Sequence, residues 1–199
     1  MLRGFGLKMG KVSRGRFEAR VRELVSGNPM LESVAQAMLA ARAALRSEMT
    51  VLDRRARAHA RDDADCRLLM TAPGVGALTA LTFKSAIDDP SRFRSSKMVG
   101  VHFGLTPSKY QSGEKDVTGS ITRAGDAMAR STLYEAATAL LTRWQGFSSL
   151  KAWGLAVAQR RGRKRATVAV ARKLAVILHR MWVDGTTFRF AREATATAG

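Results

Sequence analysis

The chain holds one cysteine, Cys66, in 199 residues. A lone thiol allows no internal disulfide and no cysteine-based zinc cluster, and its expected role is a small buried apolar group in a reducing compartment. Histidine is nearly as scarce. His59, His102 and His179 stand far apart and make no metal-ligand spacing. Acidic residues are few, 16 Asp and Glu against 34 Lys and Arg. Asp62, Asp63 and Asp65 cluster at a helix boundary, where capping or solvated charge is expected ahead of metal binding. Long apolar runs are missing as well. The longest uncharged run, 68–83, has 16 residues and contains Pro73, Gly74 and Gly76. That is short of the roughly 20 apolar residues a membrane-spanning helix requires. Residues 1–14 alternate glycine and basic residues with no apolar centre, so no secretory signal is read there. The expectation is a soluble cytoplasmic protein with no membrane partner.

What is present is positive charge. A formal net charge of +18 implies a polyanionic partner, and DNA would place the protein at the nucleoid. A generic basic surface is the bland alternative. Residues 1–15 read as a basic, glycine-rich linker remnant. Residues 16–66 read as a helical arm. Phe17, Val21 and Leu24 share one helical face, and Gly27-Asn28-Pro29 breaks it. Beyond the break Leu31, Val34, Met38, Ala41, Leu45 and Leu52 form a heptad-like seam, interrupted at Glu48. It suits a dimerisation arm or a helix packed on its own domain. Residues 67–188 read as a compact helical domain, with helices over 127–144, 150–158 and 167–182, and 189–199 as a disordered tail. Strand signals are few. The fold class expected is mainly α, a long coiled-coil-like arm followed by a compact helical domain.

Three stretches carry chemistry. Pro73-Gly74-Val75-Gly76 between apolar segments resembles a helix-hairpin-helix DNA-binding motif, with Gly74 and Gly76 letting the backbone approach a phosphate. A plain tight turn is the alternative. Ser112 sits between Gln111 and Gly113 and is followed by Lys115, Arg123 and Arg130, cations of the kind that hold a phosphoryl group. A serine hydroxyl needs a base or a metal to become a nucleophile, and no histidine stands beside it in sequence. Asp126 is placed to cap a helix starting at Ala127. Arg160, Arg161, Arg163, Lys164 and Arg165 form a basic turn, either a phosphate contact or a solvated face.

Taken in order, the Pro-Gly-Val-Gly turn, Gly104-Leu105-Thr106-Pro107, Ser112-Gly113, Ile121-Thr122-Arg123-x-Gly125-Asp126 and Arg130-x-x-Leu133 resemble the C-terminal transposase domain of the IS-one-ten insertion-sequence family, the relatives of the Piv DNA invertase. The resemblance covers roughly 68–188. It implies a DNA recombinase guided by a bridge-type RNA. In such a recombinase a RuvC-like domain with an Asp-Glu-Asp-Asp magnesium site works with a serine nucleophile that links covalently to DNA. That serine maps to Ser112, with Ser108 and Ser120 as competing assignments. No stretch corresponds to the RuvC-like domain. The expectation is therefore a truncated transposase, inactive alone, with no cofactor of its own. Magnesium would enter only with a RuvC-like domain on another chain. Its partners would be DNA, the RNA, and a second copy or the full-length transposase. The alternative is a non-catalytic nucleic-acid-binding protein that regulates the full transposase.

Overall fold

The structure, a computed structural model, describes residues 2–112 and 115–191, and of residues 109–118 the backbone alone. Among the described residues are eight α-helices: α1 (Phe17–Val25), α2 (Pro29–Asp62), α3 (Ala64–Leu69), α4 (Ala77–Ile87), α5 (Lys97–His102), α6 (Ala127–Thr142), α7 (Ser149–Arg161) and α8 (Arg163–Asp184). One antiparallel hairpin, β1 (Pro107–Ser112) and β2 (Lys115–Ile121), lies between α5 and α6. The mainly α class expected from sequence holds. Among the described residues no helix is long and apolar enough to cross a membrane. The chain divides into two units, residues 1–55 and 56–199.

In the first unit α2 starts where its sequence dictates. Pro29 takes the first helical position, the Asn28 side chain accepts from the Leu31 amide at 3.2 Å, and Glu32 reaches back to the Gly27 amide at 2.9 Å. Val21 and Val25 of α1 pack with Leu31, Ala35 and Leu39 of α2. Arg42 pairs with Glu18 at 2.7 Å and covers the Phe17 ring. The heptad-like seam is thereby divided. Leu31 faces α1, whereas Val34, Met38, Leu45 and Leu52, with Met30 and Met49, stay exposed.

The second unit is built around α8. Its Val170, Leu174 and Leu178 are fully buried, and α3, α5, α6 and α7 pack against it. Leu69, Phe83, Phe103, Leu105, Leu133 and Leu140 complete the core. Replacing the glycine at Gly154 would put a Cβ 2.6 Å from Val170, so α7 lies close against α8. His179 of α8 is buried in a brace. A carbonyl can only accept, so Nε2 carries the proton it donates to Pro90 O at 3.0 Å, and Nδ1 accepts from the Ser96 hydroxyl at 3.0 Å. Cys66 is fully buried, and burial pushes its thiol up to about 11, which keeps it protonated and inert.

The acidic cluster resolves into a cap and an ion pair. Asp63 caps α3 by accepting from the Cys66 amide at 2.8 Å, and Lys84 of α4 binds Asp63 at 2.6 Å and Asp65 at 2.7 Å. The hydrogen bond from Lys84, then that from the Cys66 amide, hold the Asp63 carboxyl down at about 2. An ordinary aspartate titrates near 3.9, so the stabilisation from this lowered group is complete above about pH 4 and is lost as pH falls through about 2. The melting temperature of Asp63→Asn is therefore expected to lie below that of the parent at neutral pH, with the gap closing towards pH 2. Thermal denaturation across that range measures it. A gap that stays constant would show that the pair contributes nothing.

The hairpin departs from the sequence reading of 67–188 as a compact helical domain with few strand signals. A two-stranded ribbon with polar residues on most positions has no apolar alternation to betray it. The basic stretch differs too. Gly162 alone, at φ +81, separates α7 from α8. The expected basic turn is in fact the last turn of one helix and the first turn of the next.

Candidate nucleic-acid interface

The first group of site residues surrounds the base of the hairpin. The Gly104 and Gly125 motifs fold against each other, backbone to backbone. Gly104 has φ +62 and Gly125 φ +75; a Cβ on the first would stand 2.3 Å from Ala124 N, and on the second 2.0 Å from His102 O. The Arg123 amide donates to Gly104 O at 3.1 Å and the Thr122 amide to Thr106 O at 2.9 Å. Arg130, half-buried on α6, donates from Nη1 to Phe103 O at 3.2 Å and Ala124 O at 3.0 Å. Arg130, expected from sequence to hold a phosphoryl group, thus also braces two carbonyls left by the loop. Asp126 caps α6, accepting from the Ala129 amide at 2.6 Å. Arg123 keeps an exposed side chain on a left-handed backbone, φ +58, a conformation that costs a non-glycine residue about 1 kcal/mol.

Ser112 ends β1 and Lys115 begins β2, and the two are register partners. Their side chains lie outside the described residues. Five residues of strand separate Ser112 from Pro107, about 17 Å, so Ser112 stands near the tip of the ribbon while Arg123 and Arg130 stand at its base. The described residues do not gather these arginines around Ser112. Of the competing serines, Ser108 donates its hydroxyl to Ser120 O at 3.0 Å, a stitch across the hairpin beside the irregular register at Pro107 and Lys109.

The Pro73–Gly76 turn joins α3 to α4. Pro73 and Val75 are buried. Gly74, at φ +85, faces α6, where a Cβ would lie 2.3 Å from Ala136 O. The glycine is needed there for helix packing, a role that sequence gives no hint of. Gly76 is exposed at the start of α4 with nothing within 4 Å of its missing side chain.

The basic corner is the most strongly charged feature. Arg160 and Arg161 close α7, Arg163, Lys164 and Arg165 open α8, and all five are exposed. None of them pairs with an acid among the described residues. No Asp or Glu occurs between Glu135 and Asp184. Helix α8 has no side-chain cap and no acid in its first turn. Its first amides and its dipole are positive, so three cations there raise the local energy by a few tenths to about 1 kcal/mol each. Arg172, two turns further along α8, adds an exposed cation that sequence reading passed over. The signal that would have added Arg172 to that basic turn is the acid-free interval itself.

Residues 66–152 match the transposase IS116/IS110/IS902 family. The chain therefore carries a transposase domain of that family. It is similar to the transposase for insertion sequence element IS1111A of Coxiella burnetii, 35% identical over 134 residues, 67% of this chain and 37% of the relative. The y4pF/y4sB protein of Sinorhizobium fredii is 32% identical over 206 residues, 99% of this chain and 53% of the relative. The transposase for insertion sequence element IS1328 of Yersinia enterocolitica is 30% identical over 69% of this chain and 41% of its own length. The chain spans about half or less of the length of these relatives.

Proposed function

We propose that this chain is the DNA-binding, serine-bearing part of a transposase. The observation that carries the reading is the first turn of α8, where Arg163, Lys164 and Arg165 add positive charge to an already positive helix end with no acid in that turn. A phosphate placed there satisfies both the amides and the cations. Gly76, at the open start of α4, offers a second approach for a backbone phosphate in the manner of a helix-hairpin-helix. A guide RNA is a second polyanion that the same surfaces would take. The exposed apolar residues of α2, from Val34 to Leu52, would pair two copies as a coiled coil.

In the chemical step, Ser112 Oγ attacks a backbone phosphorus. A phosphoserine ester forms, and the displaced deoxyribose oxygen leaves as a hydroxyl, taking up the proton that serine gives up. Lys115, its register partner, would supply positive charge to the phosphoryl group. Among the described residues no group of three His, Cys, Asp or Glu would hold a metal ion. In this reading magnesium would enter with a RuvC-like domain on another chain, and no step is routed through it.

The test mixes the chain with a separately produced RuvC-like domain of the family, magnesium and DNA, and looks for a denaturant-resistant protein–DNA adduct. Ser112→Ala is expected to abolish the adduct, while Ser108→Ala and Ser120→Ala retain it. An adduct that survives Ser112→Ala overturns the nucleophile. The basic corner does not depend on Ser112. Salt-sensitive binding with no adduct from the unaltered chain would therefore favour the second reading, a regulator that occupies DNA without cutting it.

A further inference from the structure

The loop between α6 and α7 displays an aromatic ring that the fold does not use. Phe147 is 72% exposed, while its neighbours are held. The Trp144 indole stacks on Phe190 with centroids 5.7 Å and planes 22° apart. Lys151 donates its ammonium to the Trp144 carbonyl and lies 5.7 Å from the indole centre. Ser148 is fully buried and its hydroxyl accepts from the Lys151 amide at 3.1 Å. The Ser149 amide donates to Phe190 O at 2.9 Å. Gly146 lies against the indole, where a Cβ would come within 2.5 Å of the ring.

A single exposed apolar residue is ordinary on a protein surface. The loop residues on either side of this one are held, so ordering the loop costs little further entropy on binding. Arg143, exposed and without an acid partner among the described residues, stands four residues before it, within the acid-free interval. An exposed ring in a held loop, four residues after an exposed cation and inside a stretch of sequence free of carboxylates, suits a nucleobase with its phosphate better than a protein side chain. The position agrees. Helix α7 has 13 residues, about 20 Å, and joins Phe147 at one end to the Arg160–Arg165 corner at the other. Between them its exposed face carries Ala152, Leu155, Ala156 and Gln159, uncharged and mostly small, along which a strand of about six nucleotides would fit.

We propose that Phe147 stacks on an unpaired DNA base while Arg143 holds the adjacent phosphate, so that this face prefers opened or distorted DNA over intact duplex. The proposal rests on the nucleic-acid reading of the α7–α8 corner. Fluorescence anisotropy with a fully paired duplex and the same duplex carrying a central bubble tests it. Phe147→Ala is expected to weaken bubble binding about tenfold and duplex binding less than about twofold, with Phe147→Trp restoring the bubble preference. Since the ring is exposed, the melting temperature should not change. Equal bubble affinities for Phe147→Ala and the parent overturn the stacking role and leave the corner standing. A loss confined to an RNA hairpin loop overturns the assignment to DNA. A parent chain that binds neither duplex nor bubble overturns the nucleic-acid reading and this proposal with it.

Discussion

Gly125→Ala is expected to destabilise the α8-centred unit by about 4 kcal/mol, the upper range for one substitution, and to lower its melting temperature by roughly 10–15 °C. Two independent costs combine. The residue has φ +75, where a Cβ is strained whatever the space, and the new methyl would stand 2.0 Å from His102 O. That oxygen is backbone at the end of α5 and cannot swing aside. The loop must therefore lift, breaking the bonds from Arg123 N to Gly104 O and from Arg130 to Ala124 O. The ribbon bearing Ser112 loses its footing with them. Arg123→Gly, two residues earlier, serves as the contrast. It relieves a left-handed arginine at φ +58 and is expected to leave the melting temperature equal or higher. Thermal denaturation followed by circular dichroism measures both. A melting temperature for Gly125→Ala within a few degrees of the parent would show that the two motifs are not locked as described.

Much of this architecture is legible in the chain, and the illegible parts share a cause. Helices α6 and α8 show themselves because each buries one face, and the burial repeats at helical spacing, as at Leu133, Ala136 and Leu140 or at Ala171, Ala175 and Leu178. The caps at Asp63 and Asp126 are legible because a cap depends on the next three residues alone. Gly74, Gly104, Gly125 and Arg130 are not legible. Their roles depend on backbone atoms of Ala136, Ala124, His102 and Phe103, most of them distant in sequence, and no local pattern reports such an approach. For that reason a string of glycines and arginines that reads as phosphate chemistry is here partly a clasp that holds a hairpin. The basic corner was legible as charge. Its meaning was not, because it turns on a single residue, Gly162, ending one helix and starting the next.

That geometry gives the last prediction its sign. Replacing Arg160, Arg161, Arg163, Lys164 and Arg165 together by glutamine is expected to weaken duplex binding at moderate salt by about 100-fold or more. The slope of log affinity against log salt should become shallower by about 0.9 for each phosphate contact removed, up to roughly 4.5 in all. Folding should respond in the opposite direction. The three cations opening α8 oppose its dipole and form no ion pair among the described residues, so neutralising them is expected to raise stability by about 1 kcal/mol. The two closing α7 complement their dipole and offset part of that gain. Natural sequences keep locally unfavourable charge where something other than folding needs it. A titration of labelled duplex at several salt concentrations, beside a thermal melt of the same variant, separates the two effects. Weaker binding with an unchanged or higher melting temperature places the corner on the phosphate backbone. An unchanged salt slope would make it a solvated turn and move the nucleic-acid surface elsewhere on this molecule.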